Sequence, residues 1–501
     1  MADTPTTDPV VANPTYMADI RHFFRPVDIE HMASMGYNLA TYDGVKKHAL
    51  EIHFQTQPPD RLMPRGPVAD KWSPERSQTF RNWIINGCPL GAATPQPAPD
   101  VREVAPGGRV RRNIASLSQP EIDTLAKAFS GVMARDASDP NGYYAMAGAH
   151  GLPGAWCAHH DDPFNPWHRT FLKLFEDQLR TISGCEEVTL PYWDITTLLP
   201  DVLQQAPFAA YKLPEDPGAT ADPPEPGTYF PYTTSRNDPA TIQQNMTTNG
   251  VYEDIATSIT QSLWGTFSTG GYQSFSMQAH DGGHDAIGPT MGDQNVAAFD
   301  PIFWFFHCNL DRLWLNWQIS LGATTLTGFK TTIAGGDTSW LSAPFNGLPP
   351  FEITADETIG GFGVSYEQED AVSAGPPELE NKAGSIEAAR TFSIKRSSPV
   401  SVRVKDIARL DIPGTFRVKL LADGQPVAQR AFFQPKTPRH CSNCRKLETV
   451  NIDFRIDQEK IFDKKLSVEI EVPALQHVGD RFPLSQAGNP TLNARLLIDE
   501  G

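Results

Sequence analysis

Cysteine is scarce in this chain. Six in 501 residues, at Cys88, Cys157, Cys185, Cys308, Cys441 and Cys444, are too few and too scattered for a disulfide scaffold. Long apolar runs are missing as well: none approaches the roughly 18 residues that a membrane-spanning helix needs, so a membrane partner is not expected. The opening stretch, MADTPTTDPVVANPTYMADI, has neither the basic start nor the apolar centre of a secretory leader, and the expected location is cytoplasmic. Basic charge is in deficit, with 42 Lys+Arg against 59 Asp+Glu and a net charge of -17. Without any basic run, that balance disfavours nucleic acid or an anionic membrane as partner. What is present is length and apolar content, 40% hydrophobic, enough for substantial cores and about three domains.

The pattern along the chain predicts an α + β multidomain protein. Residues 1–88 form an N-terminal helical extension with helix-like periodicity from 15 to about 88, Ser73-Pro74 reading as an N-cap followed by proline at the first helical position. Residues 89–108 form a Pro/Gly-rich linker. A catalytic domain spans 109–366, where Ser118 stands three residues before Glu121 in a capping-box spacing and HRTFLKLFEDQLRTI and DPIFWFFHCNLDRLWLNWQIS read as helices. Asp300 is the expected N-cap of the second, with Pro301 at N1. Residues 199–249, dense in Pro, Thr and Asp, read as irregular surface loops. After a second linker, 367–390, residues 391–501 alternate apolar and polar with turn signals such as Asp423-Gly424, predicting an all-β sandwich without helix.

Two histidine clusters stand out, His150/His159/His168 and His280/His284/His307. Six imidazoles suit two transition-metal ions, three ligands each, whereas magnesium and calcium prefer oxygen. Copper leads, because a zinc protease needs Glu directly after the first His of H-x-x-x-H, and here the segment reads His280-Asp281-Gly282-Gly283-His284. His280 and His284, at i and i+4, share a helical face, although such pairs also arise by chance. Pro163 and Pro166 forbid one helix through both His159 and His168, which places His159 in a loop and His168 in the first turn that follows. Asp311, four residues after His307, is in reach of that ring N–H directly or through a partner. His22, His31, His48 and His53 lack ligand spacing and read as surface or packing residues. His160 reads as a neighbour of the site or a solvent-facing residue rather than a ligand.

At these residues a resemblance emerges. His150-Gly151-Leu152-Pro153, Cys157-Ala158-His159 and Pro166-Trp167-His168-Arg169 resemble the first copper-binding region of the tyrosinase and polyphenol oxidase family; Asp300-Pro301-Ile302-Phe303-Trp304-Phe305-Phe306-His307, continuing to Asp311-Arg312, resembles the second. The resemblance covers about half of the chain. It implies a four-helix bundle holding a type-3 pair of two copper ions with O2 as co-substrate, one ion on each histidine triad. It also implies that Trp167, Arg169, Glu176, Phe303, Asn309, Asp311 and Arg312 orient or pack those ligands. Cys157 matches a position where many members form a thioether to the ligand histidine, an inert buried thiol being the other reading. The implied activity is oxidation of phenols by O2 to o-quinones, with small phenols as partners, homo-oligomerisation left open, and two alternatives: an oxidase of catechols or o-aminophenols alone, and a non-enzymatic oxygen carrier of the haemocyanin type.

This chain departs from the family at Phe306, often a second His, and at Asp281, often Asn. Asp281 either accepts the phenolic proton as a base beside copper or only hydrogen-bonds its own helix turn. Asp285, with Asp281, Asp161 and Asp162, predicts a negative entrance that favours neutral or cationic phenols. No acidic residue lies between Asp254 and Asp281, where strong monophenolases often carry a Glu. The resemblance further implies a C-terminal domain that covers the site and inserts a placeholder side chain. Phe432 and Phe433 are the candidates, strand-core packing being their alternative fate. Cys441-Ser442-Asn443-Cys444 can be a redox pair, half a zinc site or a trap for Cu(I), and copper transfer to the site is the favoured expectation, with His440 as an accessory.

Overall fold

The computed structural model describes residues 10–25, 28–29, 32, 37–56, 71–86, 88–90, 108–154, 158–221, 224, 229–265, 271–333, 336–345, 353–367, 399–473 and 481–496. Three units follow one another. The first contains helices α1 (Tyr42–Lys47), α2 (Ala49–Thr56) and α3 (Pro74–Ile85). The Ser73 side chain accepts the Arg76 N–H at 3.0 Å with Pro74 in the first turn, the cap that the sequence predicts. Its core is aromatic: Trp72 meets Phe80 edge-on at 5.2 Å and Phe23 at 5.3 Å, over a fully buried Trp83. Arg21 fastens this unit to the next by donating to the Ser320 carbonyl at 2.6 Å.

The second unit is helical, with α4 (Gln119–Met133), α5 (Tyr143–Gly148), α6 (Phe164–Arg180), α7 (Pro239–Thr248), α8 (Val251–Ser258), α9 (Tyr272–Ile287), α10 (Ile302–Ser320) and α11 (Leu326–Lys330). The Ser118–Glu121 capping box opens α4 as expected. Helices α6, α9 and α10 are buried on nearly every face, because each packs on several others through bulky rings such as Phe175 on Trp304, 3.7 Å apart and stacked. The start of α10 falls one residue later than expected. A 3-10 turn at Ala297–Phe299 precedes it, and the Asp300 carboxylate caps from outside by accepting the Ile302 N–H at 3.2 Å while paired with Arg236.

Residues 199–249 depart further from expectation. They hold α7, whose Asp238 side chain accepts the Thr241 N–H at 3.0 Å ahead of Pro239. The cap-and-proline signal was there, but one buried stripe of Ile242 and Met246 is too short to register as periodicity. Two short strands, β1 (Arg109–Arg111) and β2 (Val364–Tyr366), pair in parallel and bring the two ends of this unit side by side.

The third unit has two antiparallel sheets, ordered β6-β3-β9 and β5-β4-β7-β8, from β3 (Pro399–Ala408), β4 (Phe416–Ala422), β5 (Gln425–Phe432), β6 (Thr449–Asp457), β7 (Leu466–Glu471), β8 (Arg481–Phe482) and β9 (Thr491–Leu496). Val400, Val402 and Val404 from one sheet and Val418 and Leu420 from the other alternate inward, as period-two patterning requires. Asp423 and Gly424 both take positive φ, 50° and 77°, which makes the two-residue hairpin between β4 and β5. One helical turn, α12 (Gln458–Ile461), interrupts the expected all-β unit. Phe433 joins the helical core while Phe164 and Met277 join the sandwich core, so the two units share a boundary without a polar gap. Among the described residues no helix is long and apolar enough to cross a membrane.

Candidate metal centre

Five local structures deliver the six histidines. His150 follows α5, His159 lies in the turn before α6, His168 stands just past the first turn of α6, His280 and His284 share a face of α9, and His307 lies on α10. The glycine pair between His280 and His284 lets neighbours come close. A Cβ on Gly283 would lie 2.6 Å from the Phe306 ring, and one on Gly282 would lie 2.9 Å from Val251. Phe306 therefore fills, with an apolar ring, the space that Gly283 leaves between α9 and α10.

Each triad gathers its donor atoms within 4.8 Å of one another, and all six side chains are buried. The Nε2 atoms of His150 and His159 face each other at 3.3 Å, and those of His284 and His307 at 3.0 Å. The triads adjoin, with the His168 and His307 rings stacked 4.5 Å apart at 7°. Phe303 packs 4.1 Å from His307 and 4.7 Å from His150, ring centre to ring centre, and walls off both.

The second nitrogens fix the orientation. His168 Nδ1 bonds the Phe164 carbonyl at 2.9 Å, His284 Nδ1 the Met291 carbonyl at 2.8 Å and His280 Nδ1 the Asp281 carboxylate at 2.8 Å. A ring that donates from Nδ1 keeps Nε2 unprotonated, the form that binds a metal. The Nε2 atoms of His168 and His280 are buried without a hydrogen-bond partner among the described residues, a costly state that an ion would relieve. Burial holds the imidazoles neutral: His168 and His284 are each lowered to about 3, and His150, His159, His280 and His307 also fall well below the ordinary value. Neutral, soft-to-borderline nitrogen donors in two sets of three fit a pair of copper ions.

The carboxylates have other duties than the sequence suggests. Asp281 is fully buried; one oxygen holds His280 Nδ1, and the other takes His160 Nε2 at 2.8 Å and the Phe433 N–H at 3.1 Å. Burial pushes this carboxyl up, while His160 and the Phe433 N–H oppose the shift. Both oxygens are thus engaged, and the contact to the adjacent His280 is a hydrogen bond within its own helix turn, the other of the two expectations for this residue. Asp285 does not project a bare charge at an entrance. Arg417 grips it with Nε at 2.8 Å and Nη2 at 3.0 Å, and Asn249 donates at 2.9 Å. Lys446 pairs with Asp161 at 2.8 Å, and Asp162 is pushed up to about 6 by burial and the Asp161 charge. The expected negative entrance is thus covered and largely neutralised by cations of the sandwich.

Asp311 is likewise redirected. It accepts from Arg169 Nε at 2.6 Å, Tyr366 OH at 2.6 Å and Arg111 Nη1 at 3.4 Å, in a buried lattice that includes Glu176 beside Arg111. Its buried charge is used against two arginines, and His307 is not among these partners. Asn309 accepts from Arg312, whose guanidinium lies 4.4 Å from the Tyr192 ring centre, so this pair braces α10 against the preceding segment.

Phe432 and Phe433 part company. Phe432 turns into the sandwich and stacks on Phe416 at 5.1 Å and on His160 at 4.2 Å. Phe433 stacks on His284 at 4.0 Å and 19° and meets His159 and His280 edge-on at 5.3 and 5.6 Å. The loop with Cys441 and Cys444 lies alongside, since Asn443 donates to the His159 carbonyl at 3.1 Å. Cys444 N–H donates to Cys441 Sγ at 3.2 Å, and its side chain and backbone together lower the Cys441 thiol to about 6. Cys157 and His31 lie outside the described residues.

Sequence reasoning missed the domain seam. Besides Arg417 and Lys446, Arg430 pairs with Asp254 at 2.7 Å and Glu253 at 2.7 Å, and Lys436 with Asp293 at 3.0 Å. Arg430 is a buried cation at the inner end of β5, whose other end is exposed, so no sequence pattern marks it.

Residues 140–320 match the model of the common central domain of tyrosinase. Hemocyanin 2 of Megathura crenulata is 28% identical over 263 residues, covering 49% of this chain and 7% of that protein. Tyrosinase HcTyr1 of Hahella sp. (strain CCB-MM4) is 26% identical over 259 residues, covering 43% of this chain and 54% of its own. The chain thus spans about half or less of these relatives' length. Among solved structures, the tyrosinase from Burkholderia thailandensis at high pH superimposes with a TM-score of 0.55 at 19% identity, over 77% of this chain and all of that one. A functional unit from octopus hemocyanin gives 0.54 at 20%, over 77% and 99%. These likenesses are likenesses of fold.

Proposed function

From the premise that this chain carries the tyrosinase-type central domain shared with haemocyanins, we propose that it oxidises phenols with O2 to o-quinones at a dicopper centre held by His150, His159 and His168 and by His280, His284 and His307. The supporting observation is Phe433: an aromatic ring stands face-on to His284 at 4.0 Å, in the place a phenol ring would take. Two copper ions bound there would supply a two-electron couple that O2 reoxidises. In the diphenol reaction two o-diphenols lose four electrons and four protons to one O2, giving two o-quinones and two waters. The protein's share is to hold each imidazole by its Nδ1 partner, to wall the rings from water with Phe303, and to offer the His284 face once Phe433 withdraws.

A narrower reading, oxidation of o-diphenols or o-aminophenols without monophenol hydroxylation, is favoured by Asp281. Its oxygens are committed to His280, His160 and Phe433, so neither stands free to take a proton from a substrate. Asp281→Asn is accordingly expected to lower copper retention and diphenol turnover together; unchanged copper content with selective loss of monophenol turnover would restore the base role. The decisive experiment is copper content followed by oxygen uptake on tyramine and dopamine, before and after limited proteolysis. Two coppers with uptake on both give the full reading, and dopamine alone the narrower one. Two coppers without quinone after proteolysis make the protein an oxygen carrier, and no copper sinks the proposal.

A further inference from the structure

Among the described residues His160 is the one histidine beside the two triads that belongs to neither, and four observations single it out. Its backbone sits at φ 57°, a left-handed conformation that a non-glycine residue keeps only where its surroundings hold it there. Its side chain is 1% exposed. Its ring lies flat on Phe432, 4.2 Å away at 14°, and Phe432 is in turn anchored in the sandwich by Phe416 and by the Arg409 guanidinium 4.8 Å from its ring centre. Its Nε2 is 2.8 Å from the Asp281 oxygen opposite the one that holds His280.

These contacts make a chain: Phe432, His160, Asp281, His280. The carboxylate is a single rigid plane, so whatever fixes Oδ2 also fixes the direction in which Oδ1 receives His280 Nδ1. That direction sets where His280 Nε2 points, and this buried Nε2 has no other partner among the described residues. The Phe433 N–H contributes a second contact to Oδ2 but comes from the other unit, across the seam. His160 is the one of the two that belongs to the helical unit itself, next in sequence to His159 of the other triad.

We propose that His160 is a positioning residue for the second metal ion, holding Asp281 so that His280 keeps Nε2 aimed at it. The proposal rests on the dicopper reading and adds a residue outside both ligand sets. A group hydrogen-bonded directly to a metal ligand, as Asp281 is to His280, changes metal affinity by about 10- to 100-fold when replaced, and His160 acts one bond further out through that carboxylate.

The test uses the full-length chain with two substitutions. His160→Phe keeps a ring against Phe432 and removes the hydrogen bond, whereas His160→Gln returns an amide that can donate to Asp281. Copper is titrated out with a chelator, and the copper(II) resonance is followed by electron paramagnetic resonance. His160→Phe is expected to lose the second ion at about 10-fold lower chelator strength, the low end of the range for a direct partner of a ligand. The remaining unpaired ion would show a resonance that the coupled pair does not, and His160→Gln would recover most of the affinity. Equal retention of both ions by His160→Phe and the unaltered chain would overturn the proposal, as would a Gln variant no better than Phe. If the unaltered chain binds no copper, the dicopper reading itself has failed, an outcome separate from either of these.

Discussion

Full-length protein carrying Phe433→Ala is expected to form quinone from dopamine at least about tenfold faster than the unaltered chain, with copper content unchanged. Phe433 is fully buried, stacked on His284 and edge-on to two more histidines. Removing such a ring costs about 3–5 kcal/mol of packing. Here that packing holds the two units together over the histidines. If only about 1.4 kcal/mol of it appears as weaker closure, the open fraction rises tenfold. The ring also occupies the face of His284, so its loss clears the site even while the seam of Arg417, Arg430 and Lys446 stays shut. Initial rates with dopamine, measured alongside copper analysis, check the expectation. Two retained coppers with a rate no higher than that of the unaltered chain would show that Phe433 does not obstruct substrate.

The second large effect concerns acid. In the metal-free protein His168 and His284 are each held to about 3 by burial, against an ordinary imidazole value of 6.5. Between those values the unfolded chain binds protons at both positions and the folded chain does not. Stability from these groups is therefore complete above pH 6.5 and is lost as pH falls toward 3, at about 1.4 kcal/mol per pH unit for each histidine. Two such groups acting together remove most of a typical domain's stability within a few units. The melting temperature of copper-free protein should be level above pH 7 and fall steeply below pH 6. A curve flat down to pH 5 would mean that water reaches these rings and that the triads are open.

What could be read in advance follows from distance along the chain. His280 and His284 lie one helical turn apart, and His159 and His168 are separated by prolines that dictate a loop and then a helix, so local geometry alone groups them. The sandwich was legible for the same reason, since alternation in β3, β4 and β6 is a short-range pattern. Pairings across the seam carry no such mark. Asp285 and Arg417 are 132 positions apart and Asp281 and Phe433 are 152 apart; Asp281, Asp285 and Phe433 stand out singly in the sequence, but nothing local joins them to their partners. Asp311 shows the converse failure. Its i+4 spacing from His307 was real, but Arg169, Arg111 and Tyr366 converge on it from elements that spacing does not reveal.

The parallel pairing of β1 with β2 has a practical reach of its own. Arg109 lies opposite Val364 and Arg111 opposite Tyr366, so the polypeptide enters and leaves the metal-binding unit at one spot. A unit whose entrance and exit adjoin behaves as a cassette: it can be spliced between other sequences, strung in series, or given new termini within a surface loop while its interior stays intact. The six histidines all lie between that entrance and that exit, so any such transfer would carry both triads together.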